Sequence, residues 1–296
     1  MKRMDKSEFL FKILSYTFTT IFAAFCLYPF IYAISAALSS KNAMDSGLVI
    51  LYPVEVQLDA FKAVLEDKMF WLSYANTLFV TFYGTIWAMF ISVTGAYALS
   101  KSRLIFRRGF NFLLVFTMWF NAGMIPQYIN YVNTRNVFHS IGITDDKWVV
   151  VIAMGLAAFN IIILRNAFEG VPKEIEEAAI VDGANDFQVL TKVYIPMTKA
   201  AMATVTLFYG LSRWNGYFWA RQIISNSSEW PLQVYIRRAL EDKFEAINYG
   251  VEPDLPYTYD SLFYAMIVCA IIPIIIIYPY IQKYFARGVN LGGVKE

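Results

Sequence analysis

Between two apolar runs the chain reads Gly170-Val-Pro-Lys-Glu-Ile-Glu-Glu-Ala-Ala-Ile-Val-Asp-Gly-Ala-Asn-Asp-Phe-Gln-Val-Leu-Thr-Lys-Val-Tyr-Ile-Pro196. Pro172 suits the start of a helix, where its missing N–H is no loss. Glu174, Glu176 and Glu177 come next, on the side of the helix dipole that favours negative charge. Gly183 supplies a stop or a sharp bend. Asn185 with Gln188 three residues on is a capping-box pattern for a second helix. Phe187, Leu190 and Tyr194 recur at helical spacing, and Pro196 separates this helix from the next apolar run or kinks the junction. The stretch therefore predicts two short amphipathic helices bent at Gly183. Ile175, Ala178 and Ala179 make a small apolar patch that lets another surface approach closely. From Glu169 to Asp186 there are six acidic residues, against four basic ones in and beside the segment, Arg165, Lys173, Lys192 and Lys199. Anionic lipid repels that balance, so docking on a protein is the better physical reading than lying among head groups.

The flanks of this segment set the class of the molecule. Of 296 residues, 58% are hydrophobic and only 16% charged, with 25 Lys+Arg against 23 Asp+Glu. That charge content cannot cover a water-soluble surface, which argues against a cytosolic enzyme, a disordered chain and a nucleic-acid binder. A bilayer core needs about 20 mostly apolar residues per helix. Six stretches meet the requirement without an acidic residue: about 13–38, 76–99, 110–131, 148–165, 200–220 and 262–282. The expected fold is an all-α membrane protein of six transmembrane helices in one transmembrane domain, 1–296, with 170–196 as a cytoplasmic segment. The short alternating segments of a β-barrel are not seen. The first span is too long, and its basic start too mixed with Asp5 and Glu8, for a cleaved signal peptide.

Charge asymmetry orients the chain. The N-terminus, the loop 100–109, the loop holding 170–196 and the tail carry 15 of the 25 Lys and Arg. Lys101, Arg103, Arg107 and Arg108 crowd one short loop with no acid. The excess places both termini in the cytoplasm. Cys26 and Cys269 lie in apolar runs and read as two buried free thiols. His139 is the only histidine, so a histidine-based metal cluster or catalytic triad has little to work with.

Glu177-Ala178-Ala179-Ile-Val-Asp182-Gly183-Ala184, with Val193-Tyr194-Ile195-Pro196 downstream, resembles the EAA signature of bacterial ABC importer permeases. Val and Ile stand where the usual pattern has Ile and Leu. The likeness extends along nearly the whole chain and is strongest to the carbohydrate-uptake class, on the maltose-type second-permease side. Trp214-Asn215-x-x-Phe218 and the tail Gln282-Lys283-Tyr-Phe-Ala-Arg287-Gly288-Val-Asn-Leu-Gly292-Gly-Val-Lys295 share in it. Gly123-Met-Ile-Pro126-Gln-Tyr and Trp230-Pro231-Leu232-Gln233 look most like a branch handling complex oligosaccharides, some of them uronic-acid sugars. Where the family often continues with a Pro-Leu pair, Ala220-Arg221 succeeds Phe218-Trp219.

The resemblance implies the type I ABC importer transmembrane fold and a transport subunit rather than an enzyme, in a bacterial inner membrane. Its implied partners are a second homologous permease, two ATPase subunits, an extracytoplasmic solute-binding protein and a carbohydrate, besides the lipid bilayer. Glu177, Ala178, Ala179, Asp182, Gly183 and Ala184 would form coupling helices seated on the ATPase, and Arg287 and Gly288 would run along the ATPase dimer. The chain has no Gly-x-x-x-x-Gly-Lys-Ser/Thr loop, the usual cradle for nucleotide phosphates. ATP and Mg are accordingly expected on partner subunits, with no cofactor or metal on this chain.

Polar side chains within spans are costly in lipid and suggest a route or a helix contact. Trp119, Asn121, Gln127 and Tyr128 cluster where Gly123 and Pro126 can break span three. Asn160 lies in span four. In span five, Arg213 shares a helical face with Tyr209 and Gly216, and Asn215 shares one with Ser212 and Trp219. One of these faces is expected to meet sugar, with Arg213 matching a uronate carboxylate; snorkelling or a structural ion pair is the alternative for Arg213. In the outer loop 221–261, Pro231 can open a short amphipathic helix, and docking of a binding protein competes there with a simple solvated face. A self-contained secondary carrier would need ionisable pairs or broken inverted repeats near the bilayer centre. Only Arg213 is a clear intramembrane charge. An intramembrane enzyme would need a ligand cluster or a nucleophile–base pair, and none stands out.

Overall fold

The computed structural model describes residues 6–120, 122–248 and 255–288. Every α-helix, 3-10 turn and π-turn among them is joined by turns and irregular chain, without a strand. The helices are α1 (Lys6–Ala37), α2 (Lys41–Asp45), α3 (Asp59–Glu66), α4 (Lys68–Ser100), α5 (Arg107–Trp119), α6 (Met124–Ser140), α7 (Lys147–Ala153), α8 (Ala158–Glu169), α9 (Lys173–Val181) and α10 (Asp186–Val189). A π-turn (Leu190–Tyr194) leads into α11 (Ile195–Met197), α12 (Lys199–Trp214), α13 (Phe218–Ile223), α14 (Leu232–Asn248) and α15 (Tyr259–Gly288). As expected of its position, Pro231 immediately precedes α14.

Two compact units emerge, 1–70 with 236–272 and 71–235 with 273–296. In the first, α1 exposes apolar side chains all round, such as Phe11, Phe18, Phe25 and Leu14, as a helix bathed in hydrocarbon does. Cys26 is exposed on it while Cys269 is buried, so the expectation of two buried thiols fails for Cys26. Tyr32 meets Tyr264 edge-on at 5.4 Å. Ser35 donates to the Leu51 carbonyl at 3.0 Å and ties the adjoining loop to α1.

In the second unit, α4, α8 and α12 enclose the main core: Ala88, Val93 and Ala96 from α4, Ile161, Leu164 and Phe168 from α8, and Ala201, Val205 and Tyr209 from α12. Val189, Leu190 and Tyr194 join the same core, so one face of the 170–196 segment is structurally continuous with the helices above it. At the other end Tyr131, Val149 and Ile223 form a smaller cluster between α6, α7 and α13.

Three of the six expected spans are single long helices. Residues 13–38 fall essentially in α1, 76–99 in α4 and 262–282 in α15, and these three are long and apolar enough to cross a membrane. The other three are corrected by the structure. Span 110–131 is α5 and α6, inclined at 111°, and span 148–165 is α7 and α8, inclined at 49°. Span 200–220 is α12 and α13, interrupted at Asn215, Gly216 and Tyr217. The 13 residues of α5 reach about 20 Å at 1.5 Å each, short of a core about 30 Å thick. Hydropathy cannot register these interruptions, because the residues on both sides of each break remain apolar. Gly123, Gly155 and Gly216 mark them.

Candidate functional site

The 170–196 segment folds as its local sequence dictates. Pro172 caps the start of α9, one position earlier than a first-turn proline. At its other end Gly183 takes φ +84°, a left-handed conformation that glycine adopts without a Cβ penalty. Gly183 N–H donates to the Ile180 carbonyl at 3.0 Å, and Ala184 N–H to the Ala179 carbonyl at 2.9 Å. This pair of bonds is the Schellman stop, and it turns the chain directly into α10. There the expected capping box forms: Gln188 N–H donates to Asn185 Oδ1 at 2.9 Å and Asn185 N–H to Gln188 Oε1 at 3.0 Å. Both helices and the bend at Gly183 thus stand where the sequence placed them.

The faces sort differently. Leu190 and Tyr194 are buried but Phe187 is 71% exposed, so the expected stripe loses its first member. The apolar patch also divides. Ala179 and Ala184 pack toward the core, while Glu177, Ala178, Asp182 and Gly183 face outward beside Ile180 and Val181. Val181 is 86% exposed. Of the expected coupling residues, four are open to a partner and two help hold the segment down. Arg287 and Gly288 lie in the last turn of α15, and their side chains lie outside the described residues.

What holds the segment is a charge network that sequence reasoning misses. Lys101 Nζ lies 2.5 Å from Glu176 Oε1 and donates to Tyr194 OH at 2.9 Å. Tyr194 OH donates to Glu176 Oε2 at 2.5 Å. The ammonium also sits over the Tyr97 and Tyr194 rings, 4.2 and 4.0 Å from their centroids. Arg103 pairs with Asp186 and Arg107 with Glu169. The three pairs are not equal. Arg103 and Asp186 side chains are 60% and 64% exposed, and such a pair is worth about 0–1 kcal/mol. Lys101 and Glu176 are 9% and 16% exposed, where removing one partner costs about 3–5 kcal/mol because the other charge stays buried.

Burial by itself pushes the Glu176 carboxyl up, but the hydrogen bonds from Lys101 and Tyr194 overcome it and hold the group below the ordinary carboxylate range. Lys101 is held below its ordinary value, because burial outweighs its bond to Glu176. The Tyr194 phenol is pushed up by burial and by the Glu176 carboxylate beside it. The sequence does carry one signal for the network, charge complementarity: a loop of four cations and a run of acids on the same side of the membrane. Membrane orientation accounts for the cations without any pairing, so the signal is easily passed over.

The expected substrate-route residues do not converge on one pocket. Trp119 ends α5 with 82% exposure, and Gln127 and Tyr128 occupy the first turns of α6, half-buried and exposed. Asn121 lies outside the described residues. Asn160 is buried in the first turn of α8. Asn215 is exposed and caps the end of α12, so it never shares a helical face with Trp219. Trp219 packs edge-on against Tyr131 at 4.9 Å in the α6–α13 cluster. Helices α4, α12 and α15 frame a cavity of about 650 Å³ lined by Leu78, Phe82, Ile86, Leu207, Leu211 and Ile277 among others. None of the expected route residues lines it, and its surface is mostly apolar, with Thr81, Thr85, Thr204 and Thr206 among the hydroxyl-bearing residues in its lining.

Arg213 needs a correction of its own. Its residue is 3% exposed, and the guanidinium donates to the Val150 carbonyl at 2.9 Å and the Met154 carbonyl at 2.6 Å. These are carbonyls at the C-terminal end of α7, which the break before α8 leaves without helical partners. Tyr209, one turn earlier on the predicted common face, accepts the Ala157 N–H through its OH at 3.3 Å. Together the two side chains satisfy both lips of the broken span, which apolar surroundings require. The expected match to a uronate gives way to a backbone cap.

A family described as the binding-protein-dependent transport system inner membrane component matches residues 7–291. The polygalacturonan/rhamnogalacturonan transport system permease protein YtcP of Bacillus subtilis (strain 168) is 36% identical over 293 residues, 97% of this chain and 98% of that protein. Protein LplC of the same organism is 32% identical over 98% of this chain and 96% of its own length. A solved structure of a bacterial ABC transporter involved in the import of the acidic polysaccharide alginate shares 43% identity and a TM-score of 0.84, covering 96% of this chain and 100% of that one. Matched from Ser7 to Leu291, and alike to these relatives end to end, the chain belongs to the family of binding-protein-dependent transport system inner membrane components.

Proposed function

We propose that this chain is one of two permease subunits of an ATP-driven ABC importer that moves an oligosaccharide inward by alternating access. Family membership and the relatives' printed roles support the transport reading. An acidic sugar is the cargo class to try first, because the 43%-identical structure concerns alginate import. In this reading residues 1–296 form one permease domain that crosses the bilayer six times, three times through interrupted helices. Both termini and the 170–196 segment lie in the cytoplasm.

The observation that carries the proposal is the bent pair α9–α10, rooted in the core on one face and open on the other. Glu177, Ala178, Val181, Asp182 and Gly183 present small, apolar and acidic groups that fit a cleft on a separate ATPase, with Glu177 meeting a basic group there. ATP and Mg reside on that ATPase, and this chain supplies the lever. Arg287 and Gly288 extend toward the same partner. Trp119, Asn121, Gln127, Tyr128, Asn160, Asn215 and Trp219 remain the candidates for side chains along the sugar route, shared with the companion permease. An extracytoplasmic binding protein delivers the sugar to the outer loops.

Copurification with candidate ATPase and permease partners tests this, together with ATPase stimulation by a panel of loaded binding proteins. The expected result is a four-subunit complex whose hydrolysis rises with one loaded binding protein. Gly183→Pro serves as the specific control, because proline fixes φ near −65° and cannot take the +84° of the bend. Membrane insertion should persist while uptake falls to background; undiminished uptake would remove the coupling role.

A further inference from the structure

Lys101, Glu176 and Tyr194 close a ring in which each polar group bonds the other two, at 2.5, 2.5 and 2.9 Å. They come from three different places. Lys101 stands just past the last residue of α4, Glu176 lies within α9, and Tyr194 ends the π-turn that leads through α11 into α12. Tyr97, one turn back in α4, lays its ring against the ammonium, and its OH reaches Asp186 Oδ1 at 3.5 Å. Both helices of the bent pair are thus tied to the end of α4, but by bonds of different durability. The Asp186 contacts are open to water and screened by salt. The ring is enclosed, so opening it strands a charge away from solvent.

We propose that the Lys101–Glu176–Tyr194 ring is the positioning device that turns a displacement of α9 into a joint displacement of α4 and α12. The inference rests on the reading of α9–α10 as the ATPase contact and adds to it the residues that pass the movement on. Glu176 and its neighbour Glu177 divide the work. Glu177 faces outward, where a partner can push; Glu176 points inward, where the push is received. The π-turn lies at the receiving end. Ile195 N–H bonds back to the Leu190 carbonyl across five residues, a widened helical register that sets Tyr194 toward the ring. Helices α4 and α12 also share the main core and the Ser92–Tyr209 hydroxyl bond of 2.6 Å, so they move as a packed pair once their lower ends are clasped.

The test uses the complete complex in proteoliposomes and reads ATP hydrolysed per alginate oligosaccharide taken up, with polygalacturonan oligosaccharides as the second cargo. Tyr194→Phe removes one hydroxyl and keeps the aromatic side chain under the ammonium; Glu176→Gln and Lys101→Met each remove one charge. In assembled complexes the ratio should rise roughly two- to thirty-fold, the range for substitutions along a coupling element. Hydrolysis itself should continue. The exchange Lys101→Glu with Glu176→Lys should bring the ratio back toward the parent value, which a general loss of stability would not do. An unchanged ratio in Tyr194→Phe and Glu176→Gln overturns the inference. Should Lys101→Met fail to assemble, Tyr194→Phe decides. A parent complex that never binds an ATPase overturns the reading of α9–α10 and this inference together, whereas a coupled parent with equally coupled variants overturns the inference alone.

Discussion

A guanidinium cannot be deprotonated at any accessible pH, so a buried arginine must find acceptors for its donors. Arg213 finds them in the two carbonyls freed by the α7–α8 break. Gly84 makes room for it: a Cβ there would stand 3.1 Å from Arg213 Nε and 3.3 Å from its Cδ. Both are closer than ordinary contacts between such atoms. Arg213→Ala should therefore destabilise the subunit by about 1–3 kcal/mol through unsatisfied carbonyls, without changing which sugar is preferred. Gly84→Ala should cost about 1–3 kcal/mol by overpacking. In the Arg213→Ala background the same alanine should be nearly neutral, because the group it crowds is gone. Thermal melts of the four proteins in detergent measure the coupling, and strictly additive losses would show that the two residues act independently.

At the scale of elements, the α9–α10 pair is held by titratable groups on several sides. Glu176 faces Lys101 and Tyr194, with Arg103, Asp186 and Tyr97 nearby. Its folded carboxyl titrates below its ordinary value, held there by the hydrogen bonds from Lys101 and Tyr194 against the effect of burial. The stability it contributes is therefore present above that ordinary value and lost as pH falls through the lower folded one. Hydrogen exchange of α9 amides between pH 3 and 7, corrected for intrinsic rates, should show protection falling at the acid end. Glu176→Gln should be less protected at neutral pH and flatter toward acid. Much of this element was legible in the sequence because caps are local. Gly183 needs only its own φ, and the Asn185–Gln188 box spans three residues. The ring was not legible, since Lys101 lies 75 residues from Glu176 and 93 from Tyr194. Each member had a sufficient local explanation in loop orientation, helix dipole or apolar stripe. The interrupted spans escaped for a related reason: an apolar run reports the solvent around a helix, whereas its continuity depends on which neighbour can satisfy a break. Tyr209 and Arg213 do that from another helix.

For the whole molecule, the orientation proposed from the Lys/Arg asymmetry is one that labelling can read. In a background with Cys26 and Cys269 replaced, Tyr52→Cys in the first outer loop should react with an impermeant maleimide applied outside intact cells. Ser102→Cys in the basic loop should react only after the membrane is opened. Both positions are exposed, so lack of reaction is not a matter of burial. Reversed labelling would invert the proposed orientation and with it the side of the membrane on which α9–α10 lies. The outward edge of that pair has one more implication. Ile180, Val181 and Phe187 stand 46%, 86% and 71% exposed on a projecting bend. On the proposed docking of α9–α10 on an ATPase, a copy synthesised without that partner would carry this greasy knuckle bare into the aqueous compartment, where it would mark the orphan for chaperones and proteases and give the cell a reason to produce the subunits in matched amounts.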